Sequence, residues 1–125
     1  MRSRFDPTKA YLETEEKAKF NCQPNRILSI NENIQNCGNY SMMTNQLKSI
    51  AKTHKKNEEF LKKNTPLEIE AYDDCIRFQD HTMMKTVCSW ADSFFETNHK
   101  LRNKQLKLEK EAEMIFYNQP TVLNK

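Results

Sequence analysis

The stretch KKNTPLEIE, at residues 62–70, decides how the chain divides into helices. Thr65 and Glu68 have the spacing of a capping box, in which each side chain binds a backbone N–H group of the first helical turn. Pro66 falls at the first helical position, where the missing N–H group of proline costs nothing. The pattern predicts a helix over residues 66–117. With Asn64 and Thr65 as the only connector, it should fold back on the preceding helix as an antiparallel hairpin.

This long helix carries a stripe of apolar residues. They recur at spacings of three and four, as expected for a helix face that packs against other helices. The stripe consists of Ile69, Tyr72, Ile76, Gln79, Met83, Trp90, Phe94, Thr97, Leu101, Leu108, Ala112 and Ile115, with Val87 beside it. The stretch MMKTVCSWADSFF, at residues 83–95, is part of the stripe, so we interpret it as core and not as a ligand pocket or a reactive thiol site.

A second helix is predicted over residues 27–63. Ser29 and Glu32 have the same capping-box spacing at its start. The phase of its stripe slips by about one position near Gly38, where a kink would be tolerated. The stripe consists of Ile27, Ile30, Ile34, Cys37, Tyr40, Met43, Leu47, Ile50, His54 and Leu61.

A short N-terminal helix is predicted over residues 7–20, because Asp6 can cap it and Pro7 is suited to its first position. The tail at residues 118–125 should fray. We therefore predict a single α-helical domain over residues 1–125, built as a long helical hairpin plus one short helix. Such helices form a coiled coil or a bundle through association.

The composition supports an all-α fold and argues against an enzyme. Glycine occurs only once in 125 residues, whereas tight hairpin turns, phosphate-binding loops and nucleophile elbows depend on glycine. Charged residues make up 30% of the chain and hydrophobic residues 37%, which is typical of helices that bury one face only. No catalytic residue and no cofactor is predicted.

No metal site is predicted either. Asp80 and His81 follow Asp73 and Asp74 in the stretch DDCIRFQDH, but this spacing matches no helical metal motif. A metal ion needs three or four converging ligands, so we interpret these side chains as solvated.

Charge, hydropathy and cysteine content bear on the partners of the protein and on its location in the cell. The net charge of +3 is lower than that of dedicated nucleic-acid-binding proteins, so no specific nucleic acid is expected. The chain shows neither an apolar run of about 18 residues nor a secretory signal, and we expect a cytoplasmic protein, with a peripheral position on an intracellular membrane as the alternative. In that reducing setting we expect free, buried thiols at all four cysteines, Cys22, Cys37, Cys75 and Cys88.

Two basic tracts could contact an anionic lipid surface. The first tract is KSIAKTHKKNEEFLKKN, at the expected hairpin end, and the second is HKLRNKQLKLEK, in the last helix. A solvated face with ion pairs inside each helix is the other interpretation, because glutamates interrupt the second tract. The candidate lipid contacts are Lys55, Lys56, Lys62, Lys63, Lys104 and Lys107.

Two segments resemble the helical region of BAR-type membrane-curvature proteins, including the C-terminal region of sorting nexins. IEAYDDCIRFQDHTMMKTVCSWADSFF is similar to the middle helix of such domains, and QLKSIAKTHKKNEEFL is similar to the end of their first helix. The resemblance extends over residues 26–117 and implies a dimeric module that binds anionic membranes in trafficking. A BAR unit has three long helices over about 200 residues, so this chain would be a minimal form.

Two functions follow as expectations. The first is a non-enzymatic scaffold or assembly subunit that forms a homodimer or a larger protein complex through its apolar stripes; the second is the BAR-like membrane module. The expected interface residues are Tyr72, Ile76, Met83, Val87, Trp90, Phe94, Leu101, Leu47 and Ile50.

Overall fold

The computed structural model describes residues 5–77 and 84–118. They form three α-helices and no strand: α1 is Pro7–Asn21, α2 is Ile30–Arg77 and α3 is Met84–Tyr117. The predicted all-α fold is therefore confirmed. The chain divides into two compact units, of which unit 1 contains residues 1–55 and 107–125 and unit 2 contains residues 56–106.

The predicted start of α1 and the predicted capping box of α2 are confirmed, although α2 begins at Ile30 and not at residue 27. The Asp6 carboxylate accepts hydrogen bonds from the backbone N–H groups of Thr8 and Lys9, at 3.0 and 3.4 Å. At the start of α2, the Ser29 N–H group donates to the Glu32 carboxylate at 2.9 Å and the Glu32 N–H group donates to the Ser29 hydroxyl at 3.1 Å. Hydrogen bonds from the backbone N–H group and the side chain of Ser29 hold the pKa of Glu32 below its ordinary value.

The third predicted helix start, at Thr65, is wrong. α2 is one helix of 48 residues and contains Pro66 in its interior. The Thr65 hydroxyl does not cap a helix but donates to the Leu61 carbonyl at 2.7 Å, and the Glu68 carboxylate accepts from Arg102 of α3. The connection between α2 and α3 falls at residues 78–83, which lie outside the described part of the chain.

The reason is that the inward-facing positions of α2 continue in register past the proline. A proline inside a helix removes one hydrogen bond and crowds the preceding turn, at a cost of about 3 kcal/mol. Here the proline itself is exposed, while the residues on the inner side of the helix stay buried or half-buried on both sides of it. These residues are Leu61, Asn64, Glu68, Ala71 and Cys75. The contacts of this inner side outweigh the local preference for a break.

Unit 1 packs α1 against the N-terminal part of α2 and the C-terminal part of α3. Leu47, Ile50 and Ala112 form its main buried cluster, and Ala18 of α1 packs on Tyr40 of α2. The predicted stripe of α2 is therefore confirmed for its later members, Tyr40, Met43, Leu47, Ile50 and His54, which are all buried.

The first members of that stripe are not core. Ile27, Ile30 and Ile34 are largely exposed. Ile27 precedes the first residue of α2, and α1 ends at Asn21. α1 covers later turns of α2, and the first turns of α2 therefore extend past the end of α1.

The prediction of free thiols is also wrong. Cys22 is bonded to Cys37 within unit 1, and Cys75 is bonded to Cys88 within unit 2. The bonds close loops with sequence separations of 15 and 13 residues. Each bond joins the end of one helix to the beginning of the next, where packing of consecutive helices brings the paired cysteines together.

Replacing Pro66 by Ala should stabilise the protein by up to about 3 kcal/mol, because alanine restores the missing helical hydrogen bond. Urea unfolding followed by circular dichroism measures the change. Pro7→Ala is the comparison, since Pro7 is at the first position of α1 and its replacement should give no gain. A neutral or unfavourable effect of Pro66→Ala would instead support a helix start at Thr65.

Reduction should lower the melting temperature of the wild type. Loops of this length are expected to contribute about 3 kcal/mol each when closed by a disulfide, in the chain-entropy model. Dithiothreitol should have no such effect on a variant with all four cysteines changed to serine. Thiol titration of the unreduced, denatured wild type should detect no free thiol, and reactive thiols in that sample would contradict the pairing.

Candidate interaction surface

Unit 2 is an antiparallel pair of helical segments, held in one register by side-chain contacts. Near the end of α2, the rings of Tyr72 and Phe95 meet edge to face with centroids 5.7 Å apart. One heptad earlier in α2, the Thr65 hydroxyl accepts a hydrogen bond from Arg102 of α3 at 3.3 Å. Thr65 contacts residue 102, and Tyr72, later in α2, contacts the earlier residue 95 of α3. The two segments therefore run antiparallel within this unit.

A polar network lies between the two segments. Glu68 is only 7% exposed, and its carboxylate accepts hydrogen bonds from Arg102 at 3.0 and 3.3 Å and from the Asn98 amide at 2.9 Å. Burial alone would raise the pKa of Glu68. The hydrogen bonds from Arg102 and Asn98, together with the charge of Arg102, outweigh burial and hold that pKa below its ordinary value.

Aromatic side chains flank this network on one side of unit 2. Phe95 contacts Tyr72 and also stacks on His99, with ring centroids 5.6 Å apart. The Arg102–Thr65 contact is on the same edge of the helix pair, one to two turns away. This side is therefore occupied by contacts within the unit.

The opposite side carries an open groove of about 420 Å³. Its lining residues are Asn64, Leu67, Glu70, Ala71, Asp74, Trp90 and Phe94. The Trp90 and Phe94 rings stack with centroids 5.7 Å apart. Trp90 is nevertheless 58% exposed, so it is not core of the isolated chain, contrary to the interpretation of residues 83–95 as packed core.

Two carboxylates line this groove from α2. Glu70 is exposed, and no described residue forms an ion pair with it. Asp74 contacts Arg77 at 3.9 Å, a loose pair near the helix surface. The groove therefore combines an exposed indole with negative charge. Neither carboxylate was among the predicted site residues, and neither was Leu67.

The other predicted interface residues fall into three groups. Leu47 and Ile50 are buried inside unit 1, so they are not available to a partner. Met83 lies outside the described residues. The remaining members are all in unit 2 and keep some exposure: Ile76 is exposed, and Tyr72, Val87, Phe94 and Leu101 are half-buried.

The candidate lipid contacts are all exposed, but the four lysines of the first tract do not lie where they were expected. Lys55, Lys56, Lys62 and Lys63 lie in the interior of α2 and not at a hairpin end. Lys104 and Lys107 are exposed on α3. Along α2 the four lysines form two adjacent rows, because residues one heptad apart share a side of the helix.

Unit 1 contains a buried polar pair that the sequence did not reveal. His54 Nε2 and a Glu109 carboxylate oxygen are 2.9 Å apart, with both side chains largely buried. His54 occupies a stripe position, so its burial was predictable; its partner is 55 residues away in the chain and was not.

The described residues bring no set of metal ligands together. They contain no group of three or more His, Cys, Asp or Glu side chains that could hold a metal ion. Asp80 and His81, from the DDCIRFQDH stretch, lie outside the described residues. Within the described helices, no segment has the length and apolar character needed to cross a bilayer.

Comparison with protein-family models, with curated protein sequences and with solved structures finds no match to this chain.

Stability should fall in acid because of Glu68. Its pKa is lowered in the folded state, so its contribution is complete above the ordinary value of 4.5 and is lost as the pH falls through the lower folded value. Glu68→Gln should flatten this dependence and cost about 1 to 3 kcal/mol at pH 7, since hydrogen bonds to a charged group are lost.

Urea unfolding at a series of pH values between 3 and 7 measures the effect. Glu59→Gln is the matched control, because Glu59 is exposed on the same helix and should leave the pH profile unchanged. An equal slope in wild type and Glu68→Gln would contradict the role of the network.

Proposed function

We propose that the chain is a non-enzymatic α-helical assembly subunit that associates with protein through the groove side of unit 2. The observation that carries this proposal is Trp90, the single tryptophan of the chain, 58% exposed beside the apolar side chains of Phe94 and Leu67. Tryptophan is the residue type most enriched at the energetic centres of protein interfaces. Exposed apolar patches bordered by polar residues are typical of interaction sites.

The rest of unit 2 supports a fixed surface for such an interaction. The Glu68 network sets the register of the two helices, and the Cys75–Cys88 bond ties the end of α2 to the beginning of α3. A groove held in this way loses little conformational entropy when a partner binds, which favours affinity.

A membrane-binding module of the BAR-like kind is the second candidate. It is favoured by the exposure of Lys55, Lys56, Lys62 and Lys63 in two adjacent rows of α2. Each lysine near an anionic bilayer contributes about 1 kcal/mol. A solvated lysine face has the same appearance, and the exposed indole lies on the groove instead, so we rank protein association first.

We also propose that the chain functions in an oxidising compartment. The sequence predicted a cytoplasmic location and, in that reducing setting, free thiols, whereas both cysteine pairs are bonded. Disulfides persist in secreted, luminal and cell-surface proteins and are rare in the cytosol.

Sedimentation velocity over a concentration series tests the association. The wild type should not remain a compact monomer, and Trp90→Ala should weaken its association by about 30-fold or more, the effect of losing an interface hot spot. Helicity should be unchanged, because the side chain is mostly exposed. Phe20→Ala, which removes an exposed ring of unit 1, is the matched control.

The same samples discriminate between the two candidates. If the lysines form a membrane surface, changing Lys55, Lys56, Lys62 and Lys63 to Glu should abolish co-sedimentation with anionic vesicles. A wild type that stays monomeric at every accessible concentration and binds such vesicles tightly would overturn the ranking.

A further inference from the structure

The groove is part of a longer face that extends along both helices of unit 2. Residues one heptad apart on a helix lie on the same side, and three such rows pass through or beside the groove. Two rows are on α2: the first is Phe60, Leu67 and Asp74, and the second is Lys56, Lys63 and Glu70. The third row, on α3, is Trp90, Thr97 and Lys104. Every row contributes at least one residue to the groove lining, which places the three rows on one side of the unit. We call this side the outer face.

Charge is separated along the outer face. Glu70 and Asp74 form its acidic end, next to Trp90. Lys63 and Lys56 lie at the other end, one and two heptads before Glu70. Lys104 is at this basic end too, because its neighbour Arg102 is level with Thr65 of α2.

An apolar ridge connects the two ends. Phe60 and Leu67 are each 49% exposed, and Trp90 is more exposed still. Phe60 lies at the basic end, Leu67 at the middle and Trp90 at the acidic end. From residue 60 to residue 74 the ridge is about 21 Å long, at a rise of about 1.5 Å per residue.

We propose that the occupant of the outer face is a second copy of the chain, related by a two-fold axis that passes near Leu67. This rests on the proposed function and identifies the partner of the same surface. A two-fold axis reverses the direction of the second copy, so an acidic end meets a basic end twice in one interface. The same operation brings Trp90 toward Phe60 of the second copy and Leu67 toward its own equivalent.

Charge complementarity selects this occupant over others. A bilayer with anionic lipids would attract the basic end but repel Glu70 and Asp74 on the same face. A partner with a single sign of charge would match only one end. The face is complementary to its own reversed copy, which is the defining property of an isologous interface.

Neighbouring charges modify this pattern without removing it. Arg77 contacts Asp74 at 3.9 Å, and Lys100 contacts Glu96 at 3.5 Å, both as exposed pairs within one helix. Such pairs are weak and are easily exchanged for contacts across an interface. Glu70 remains uncompensated among the described residues.

A charge-exchange experiment tests the two-fold arrangement. The acid-end variant carries Glu70→Lys and Asp74→Lys, and the base-end variant carries Lys63→Glu and Lys104→Glu. In either variant alone, like charges meet at both ends of the interface, and self-association should weaken by about 100-fold or more. In an equimolar mixture opposite charges meet again at both ends, so a 1:1 heterodimer should form with an affinity near that of the wild-type homodimer.

The readouts are sedimentation velocity of each variant and native mass spectrometry of the mixture, which resolves the two chains by mass. Glu58→Lys with Asp73→Lys matches the charge change of the acid-end variant on a different side of α2. Lys62→Glu with Lys85→Glu matches the base-end variant. Both control variants should associate like the wild type. All eight positions are exposed or half-buried, and circular dichroism confirms that each variant remains helical.

The outcomes separate this inference from the proposed function. Weakened single variants and a restored heterodimer support the two-fold face. If the wild type associates and the acid-end and base-end variants associate equally well, the two-fold face is overturned. The assembly function then remains in place. A mixture that stays dissociated overturns the two-fold face as well. A wild type that is monomeric at all concentrations overturns the two-fold face, and tight binding of that monomer to anionic vesicles would overturn the assembly function as well.

Discussion

The buried carboxylate of Glu68 is the constraint on which the rest of unit 2 depends. A buried charge without partners costs several kcal/mol, so the helices must bring Arg102 and Asn98 to it. Only one alignment of α2 and α3 does this. That alignment also places Leu67 and Trp90 on the same side of the unit, where they line one groove. The groove is therefore a consequence of the register that Glu68 imposes.

The same residue explains where sequence reasoning succeeded and where it failed. Ser29 with Glu32 and Thr65 with Glu68 have the same spacing, yet only the first pair caps a helix. Capping is a local interaction, and at Ser29 no distant residue in the described part of the chain competes for the glutamate. At Glu68 the competing partner is Arg102, 34 residues further along the chain. A local pattern contains no information about such a partner, so the helix boundary at Thr65 could not be rejected from the sequence.

Helical periodicity predicts which residues share a face, but not which face is covered. The stripe from Tyr40 to His54 is buried because α1 and α3 pack on it in unit 1. Trp90 belongs to an equally regular stripe and is exposed, since the described part of unit 2 consists of two helical segments and neither covers the groove. The cysteine pairs present the same difficulty: their spacing in the chain is uninformative, and only the packing of successive helices brings Cys75 to Cys88.

Two packed helical segments bury little apolar surface. The disulfide of unit 2 and its exposed face are both related to this small core. Much of the seam is polar, with Asn64, Glu68 and Asn98 at inward positions, so apolar burial contributes less than in an ordinary core. The Cys75–Cys88 bond offsets this by restricting the unfolded chain, without adding a layer that would bury Trp90. A third layer would have to come from outside the unit. An arrangement in which covalent closure maintains the fold while an indole stays exposed is suited to a subunit that completes its packing by association.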